Sequence, residues 1–295
     1  MIKPFHFLFF LFFLFLIIAS AQAQTTDIAR LEYMHIPFSK SKNSVSRYRA
    51  LAQIPIPLDK EFNNVFVIGL QYRYIDISIK DEVPFDAQQV NSVERLEASL
   101  GYVFKISTNW RLGAQAGVRI NSTLNSSAGG DDYIYFGSIY AINDMPDADK
   151  PYRLIFGLNY STTPGRNYPL PVLDYSVKYR PNWEYTLGVP KSSIKNFLND
   201  NHKDALQAFV ELDNFFGNLQ RPISIDGRTA ENISLTMVLG GLGYEHFFTK
   251  KFRFFFYATH SVYTDFKLRN NDREDIYIIN DQNSLYFRGG LKLKF

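Results

Sequence analysis

The segment Trp110-Arg111-Leu112-Gly113-Ala114-Gln115-Ala116-Gly117-Val118-Arg119-Ile120 alternates with a period of two residues. Its even positions carry apolar side chains, and its odd positions carry arginine, glutamine or glycine. Successive side chains of a β-strand point to opposite faces, so the segment predicts a strand with one apolar and one polar face. The preceding segment, 95–104, alternates in the same way, and Ser107-Thr108-Asn109 between the two predicts a tight turn. We therefore expect a β-hairpin here.

The same alternation recurs along the chain, for example in segments 47–54, 66–74 and 153–160. The predicted strands are about ten to fifteen residues long, which exceeds the usual length in globular sheets and covers the nine to eleven residues needed to span a membrane. The apolar faces are rich in the aromatic residues that form girdles at membrane interfaces, and the chain contains 27 Phe and 19 Tyr. A soluble β-sandwich also alternates, but strand length and aromatic content favour a transmembrane β-barrel.

The pattern predicts an all-β fold, a single antiparallel transmembrane β-barrel of 12 to 14 strands. Thirteen candidate strands cover residues 27–37, 45–57, 64–79, 93–106, 110–121, 132–143, 152–163, 171–180, 183–190, 204–217, 231–247, 252–265 and 283–295. Bacterial single-chain barrels have an even number of strands. An added short strand at 192–198 gives fourteen, and omission of the weak first strand gives twelve. Residues 218–230 and 266–282 are expected to be external loops.

The N-terminal residues have the three parts of a secretory signal peptide: Lys3, an apolar run from Phe5 to Ile18, and small residues up to Ala23. The apolar run is about fifteen residues long, shorter than the roughly twenty that a transmembrane helix needs. We expect residues 1–23 to be a signal peptide that is cleaved near Ala23, and residues 24–295 to form the barrel. The chain has no cysteine, which excludes a lipidated cysteine, a disulfide framework and cysteine metal ligands.

The last eleven residues, 285–295, alternate and end on an aromatic residue. Leu291, Leu293 and Phe295 share the apolar face. This ending resembles the C-terminal signal by which outer-membrane barrels of Gram-negative bacteria are recognised for insertion. The resemblance implies the outer membrane of such a bacterium as the location. It also implies the barrel-assembly machinery, outer-membrane lipid and lipopolysaccharide as partners.

Three short motifs point to a family. They are Arg47-Tyr48-Arg49-Ala50 leading to Pro55-Ile56-Pro57-Leu58, then Gly69-Leu70-Gln71-Tyr72, and Tyr179-Arg180-Pro181-Asn182-Trp183. With these motifs the chain resembles an uncharacterised family of outer-membrane β-barrels found in Bacteroidota. The resemblance implies the barrel architecture and assigns no functional residue.

The polar face of the predicted strands is the inward face, and its charges are mainly basic. The predicted lumen-facing basic residues are Arg47, Arg49, Arg73, Arg95, Arg111, Arg119, Arg153, Lys178, Arg288 and Lys292. A basic pore favours anions, so one hypothesis is a passive channel for small anionic or polar solutes. The alternative is a closed structural or interaction barrel that acts through its external loops. In such a barrel, carboxylates from those loops, including Asp81 and Asp275, would pair with the arginines.

A lipid-active enzyme is a third hypothesis, since His260 lies in the external half of a predicted strand. Adjacent strand residues face opposite sides, so His260 cannot act as a base for Ser261 and would need a serine from a neighbouring strand. We expect no enzymatic activity, no metal site and no cofactor. The net charge of +3 is spread along the chain, so we expect no nucleic-acid partner. The oligomeric state stays open.

Overall fold

The computed structural model describes residues 27–294. The predicted signal peptide and Phe295 lie outside these residues. Within them the strands are β1 (Asp27–Pro37), β2 (Ser44–Pro57), β3 (Asn64–Ser78), β4 (Ser92–Lys105), β5 (Trp110–Ser122), β6 (Tyr133–Met145), β7 (Tyr152–Ser161), β8 (Leu170–Arg180), β9 (Trp183–Val189), β10 (Lys191–Phe197), β11 (Asp204–Ile225), β12 (Arg228–Phe247), β13 (Phe252–Arg269), β14 (Asp275–Asn280) and β15 (Leu285–Lys294). The only helices in this range are short 3-10 turns, Ala87–Val90 and Gly130–Asp132, and no helix there is long and apolar enough to cross a membrane.

Fourteen of the described strands, β1 to β13 and β15, form one closed antiparallel barrel. Each strand pairs with its neighbour in sequence, and the pairing of β1 with β15 closes the ring. Strand β14 is an addition that pairs with the end of β13. The predicted single all-β barrel is confirmed, and the strand number is fourteen. The short extra strand is present as β10, and the weak first strand is retained as β1.

The outward face of the barrel is apolar. Leucines that face outward are strongly exposed, including Leu31 at 59%, Leu100 at 55% and Leu242 at 68%. Exposed tyrosines such as Tyr48 and Tyr135 lie on the same outer surface. A contiguous apolar belt of this kind is stable in lipid rather than in water, so the barrel has the surface of a membrane-spanning protein.

The two ends of the barrel have different connections. Six short turns, among them residues 181–182 and 248–251, join the strands at the end that holds Asp27 and Lys294. The opposite end carries longer segments, including 79–91 and 270–284. Short turns are periplasmic and long loops are external in bacterial barrels, so we refer to the two ends by these names.

The prediction of an external loop at 218–230 is wrong. Strands β11 and β12 continue through this region and meet at the turn Asp226-Gly227. Both turn residues have positive φ, 50° for Asp226 and 77° for Gly227, as a tight two-residue hairpin turn requires. The predicted loop at 266–282 is also partly wrong, because β13 extends to Arg269 and β14 occupies Asp275–Asn280.

The wall has unequal height because β9 and β10 contain only seven residues each. Strand β11 pairs with β10 only as far as the Lys191–Glu211 pair. Beyond that point β11 leaves β10 and reaches β5, where Asn218 pairs with Ser122. The external part of β11 therefore crosses the barrel interior instead of following the wall.

An apolar core fills the space that this crossing encloses. Its buried residues are Met34, Ile36, Phe38, Val45, Ile75, Ile77, Val90, Val93, Phe215, Leu219, Ile223, Ile225, Ala230, Ile233, Leu235, Met237, Leu239, Phe266, Leu268, Ile276 and Tyr286. Most come from the external parts of β1 to β3 and of β11 to β13. Gly217 lets β11 approach β4, since a Cβ at this position would lie 2.7 Å from a Val93 methyl group. On this side, the external half of the barrel is packed like the core of a soluble protein.

Candidate functional site

Below the apolar core lies a polar cavity of about 490 Å³. Each of the fourteen barrel strands described contributes to its lining. The cations of the lining are Arg30, Arg47, Arg49, Arg73, Arg153, Lys191, Lys195, Arg253, Arg288, Lys292 and Lys294. The carboxylates are Asp27, Glu97, Asp174, Glu184, Glu211, Asp213 and Glu245. The described lining therefore carries an excess of positive charge.

The structure places the ten predicted basic residues in three environments. Those that line the cavity are Arg47, Arg49, Arg73, Arg153, Arg288 and Lys292. Arg95 and Arg119 are buried beside Glu97, with Arg119 forming an ion pair at 3.7 Å. The side chain of Arg111 is 35% exposed, and its guanidinium lies 3.5 Å from the Asp144 carboxylate near the periplasmic end. Lys178 is exposed at the periplasmic end of β8. These last four residues do not line the cavity.

Ion pairs connect opposite parts of the inner wall. Arg47 on β2 donates two hydrogen bonds to Asp213 on β11, each 2.9 Å long. Arg288 on β15 donates to Glu211 on β11 at 2.9 Å. Bidentate arginine–carboxylate pairs are strong and directional. They hold β11 against β2 and β15 beneath the apolar core.

A second cluster surrounds Glu245, close to the periplasmic end of β12. Its carboxylate accepts hydrogen bonds from Lys195 at 2.9 Å, Arg253 at 3.1 Å and the Tyr257 hydroxyl at 2.8 Å. Lys292 in turn donates to the Tyr257 hydroxyl at 3.3 Å. The Gln207 amide also donates to this carboxylate, at 3.2 Å. One carboxylate thus accepts hydrogen bonds from four side chains, and it neutralises the positive charge around it only in part.

The carboxylates that pair with the inward arginines come from the strands. The alternation pattern predicts Glu97, Asp174, Glu211 and Asp213 as inward acids. Four further inward acids were missed: Asp27, Glu32, Glu184 and Glu245. Glu32 is an alternate residue of β1, in line with Arg30 and Met34, so the two-residue period places its side chain on the inward face. This pattern could have identified Glu32 as an inward acid.

The loop carboxylates have other partners. Asp81 accepts a 2.6 Å hydrogen bond from the Ser41 hydroxyl, which together with the Lys42 N–H holds the pKa of the Asp81 carboxyl below its ordinary value. Asp275 binds Lys267 and Arg269, which lie at the external end of β13. Neither carboxylate forms an ion pair with an arginine of the cavity within the part of the chain that the structure describes.

Arg49 and Arg73 differ from the other cavity arginines. They lie opposite each other on β2 and β3, and the Gln71 side-chain oxygen accepts from Arg49 at 2.9 Å and from Arg73 at 3.4 Å. Neither guanidinium has a carboxylate oxygen within 4.0 Å in the 27–294 range. Two cations thus face the cavity side by side with a single amide oxygen between them.

His260 lies on the outward face and is exposed. Its cross-strand neighbours are Gly240 and Leu285, neither of which is a nucleophile. Ser261 is buried on the opposite face, where its hydroxyl accepts a hydrogen bond from Thr264 at 2.8 Å. The serine partner that the enzyme hypothesis requires is thus not supplied by either cross-strand neighbour. No group of three or more possible metal ligands occurs in the described range.

The C-terminal strand has the predicted arrangement within the described residues. Leu291 and Leu293 lie on β15 opposite Leu31 and Ala29 of β1, and the alternate residues Arg288 and Lys292 are buried.

Several solved outer-membrane structures are similar to this chain at low identity. The KdgM porin in complex with disordered oligogalacturonate is 8% identical, with 90% of this chain and 99% of that chain covered and a TM-score of 0.37. LpxR from Salmonella typhimurium is 8% identical, with 90% of this chain and 100% of that chain covered and a TM-score of 0.40. Outer membrane phospholipase A from Escherichia coli is 9% identical, with 91% of this chain and 92% of that chain covered and a TM-score of 0.37.

These likenesses include porins and enzymes and assign no activity to the chain. A search of curated protein sequences gave no match. The family model described as a domain of unknown function, DUF6268, matches residues 19–294, and the chain therefore belongs to this family.

Proposed function

We propose that the protein is an integral outer-membrane barrel that passes small anionic solutes passively and catalyses no reaction. Outer-membrane lipid and lipopolysaccharide surround it, and the barrel-assembly machinery inserts it. The observation that carries the proposal is the polar cavity of about 490 Å³, whose described lining has more cations than carboxylates.

The height of the cavity supports a route along the barrel. Lys195 and Lys294 line it near the periplasmic end, and Asn159 and Asn214 line it toward the external end. The external part of this route is off-centre, because the apolar core occupies the side of β1 to β4 and β11 to β13. Solutes would pass between the external part of β11 and the inner faces of β6 to β8.

The charge of the lining supports anion preference. Strand walls in lipid have a low dielectric constant, and they focus the field of the lining charges on a permeating ion. Arg49 and Arg73 form no salt bridge among the described residues, so their charge is available to an anion. A cation entering the same cavity would meet this uncompensated positive charge.

The test is the conductance of the refolded full chain in planar bilayers, with the reversal potential measured under a potassium chloride gradient. The proposal predicts steady single-channel currents and a reversal potential displaced toward that of chloride. Arg49→Ser combined with Arg73→Ser is expected to reduce the displacement. A cation-selective current would contradict the proposal.

A closed interaction barrel is the second candidate, and the apolar core favours it specifically. Phe38 and Phe266 stack at 5.6 Å between ring centroids, and both are buried inside the external half of the barrel. If the apolar core filled the whole cross-section of the barrel, the lumen would be closed and the external loops would carry the function. A folded barrel without any current would support this candidate over the channel.

A further inference from the structure

We infer that Arg49, Arg73 and Gln71 form a binding site for a small oxyanion, a phosphate or a carboxylate, on the cavity wall. The inference deepens the proposed channel function by assigning a site and a ligand class to it. It rests on the geometry of the two arginines and on the way the surrounding carboxylates are already engaged.

A row of arginines crosses three neighbouring strands at this place. Arg49 on β2 lies opposite Arg73 on β3, and Arg73 lies opposite Arg95 on β4. Like charges directly opposite each other on a sheet are destabilising. The arrangement therefore needs negative charge nearby.

The carboxylates nearest to this row are already shared. Glu97 binds Arg95 and Arg119. Glu32 lies opposite Arg49 in the strand register, but its oxygens contact Arg30 at 3.4 Å and Arg47 at 3.3 Å.

Arg47 itself is held by Asp213, and Arg288 by Glu211. Of the row, only Arg95 has a carboxylate partner within the described residues. Arg49 and Arg73 therefore face the cavity without a carboxylate partner among these residues.

The hydrogen-bonding capacity of the site is also unfilled. The Nε atom of Arg73 and the Nε2 atom of Gln71 are buried and have no partner in the described part of the protein. A guanidinium offers five donors in a planar fork that matches the oxygens of a carboxylate or phosphate. Two such forks and one amide N–H converge on the same part of the lining.

The site suits a small ligand. Gln53 lines the same cavity on β2, four residues from Arg49, and adds a neutral hydrogen-bonding group to the lining. A chloride ion would use few of these donors, whereas phosphate or a carboxylate would use several. We therefore expect preference for oxyanions over halides.

The experiment is isothermal titration calorimetry on the full-length barrel in detergent, with inorganic phosphate and succinate as separate probes. Wild-type protein is expected to bind at least one probe, and the choice between them identifies the ligand class. Arg49→Gln and Arg73→Gln are each expected to weaken binding at least tenfold, and the double variant to abolish it. Arg73→Lys keeps the charge but loses the fork, so it is also expected to weaken binding.

Arg111→Gln is the matched control, because Arg111 is an inward arginine outside the cavity lining. Its affinity is expected to stay within twofold of wild type. Circular dichroism establishes that each variant keeps its strand content. Absence of binding of both probes to the folded wild-type protein, or unchanged binding in the double variant, overturns the inference.

Calorimetry and conductance separate the two proposals. Binding without any current would leave the oxyanion site in place and remove the channel. A current with anion preference but no binding would support the channel and remove the oxyanion site.

Discussion

Asn218 of β11 lies beside Ser122 of β5, and among the strand pairs described this is the one that runs parallel. The backbone oxygen of Asn218 accepts hydrogen bonds from the Ser122 hydroxyl at 3.1 Å and from the Thr123 N–H at 3.0 Å. This contact lets nine strands close around an apolar core while β6 to β10 stand beside it. One barrel can therefore combine a packed external core with a polar cavity.

Asp132 holds this contact from the external loop. It is 2% exposed and accepts hydrogen bonds from Asn218 at 2.8 Å and Gln220 at 2.7 Å. Burial raises the pKa of Asp132, but hydrogen bonds from the Asn218 and Gln220 amides and the Gly129 N–H outweigh burial and leave the pKa below its ordinary value. A carboxyl with a lowered folded-state pKa contributes stability above its unfolded pKa, and this contribution is lost as pH falls through the folded value.

We expect Asp132→Asn to free the crossing segment of β11 at neutral pH. A hydrogen bond to a charged group contributes about 1.5–3 kcal/mol, so amide protection at 218–220 should fall roughly tenfold to a hundredfold. Hydrogen exchange measured by mass spectrometry gives the protection factors. The exposed neighbour provides the control, since Asp131→Asn should leave protection unchanged. In the wild-type protein, protection should fall only in acid, below a pH of about 4.

The Arg288–Glu211 pair makes a prediction about stability. Glu211→Gln leaves the buried Arg288 guanidinium without its main carboxylate partner, and breaking a buried pair costs about 3–5 kcal/mol. Urea unfolding of the refolded barrel in lipid vesicles measures this loss. Glu184→Gln is the control, because Glu184 lines the cavity but forms no ion pair among the described residues. Equal unfolding free energies for the two variants would show that the pair does not support β11.

The apolar core makes a second prediction about stability. Phe266 is fully buried in the core, while Phe256 on the same strand is 45% exposed on the outer face. Phe266→Ala should lower the free energy of unfolding by about 3–5 kcal/mol, because it leaves a cavity among packed side chains. Phe256→Ala should cost clearly less under the same conditions. A larger effect at Phe256 would mean that the external half is not packed as described.

The sequence predicts the barrel well because two-residue alternation is a local property. The two-residue period gives the two faces of Trp110–Ser122 and of the closing strand β15. The short strand β10 follows from the even number of strands in bacterial barrels. The turn at Asp226-Gly227 was missed, although Asp-Gly is a strong hairpin signal, because a long external loop was expected there.

The crossing of β11 to β5 could not be predicted in the same way. Alternation identifies the two faces of β11, but the partner of each face depends on where β10 ends and on the contact between Gly217 and Val93. For the same reason the sequence identified inward arginines and could not separate Arg47, which is paired, from Arg49, which is not.

The absence of cysteine in the native chain permits a direct test of the conduction route. Ser193 on β10 lines the cavity, and Met237 on β12 is 1% exposed in the apolar core. Single-channel current through Ser193→Cys and Met237→Cys would be recorded before and after addition of a negatively charged methanethiosulfonate reagent. We expect the current of Ser193→Cys to fall by more than half and that of Met237→Cys to stay unchanged. An unchanged current through Ser193→Cys, with modification of the thiol verified by mass spectrometry, would contradict the cavity as the path of the ions.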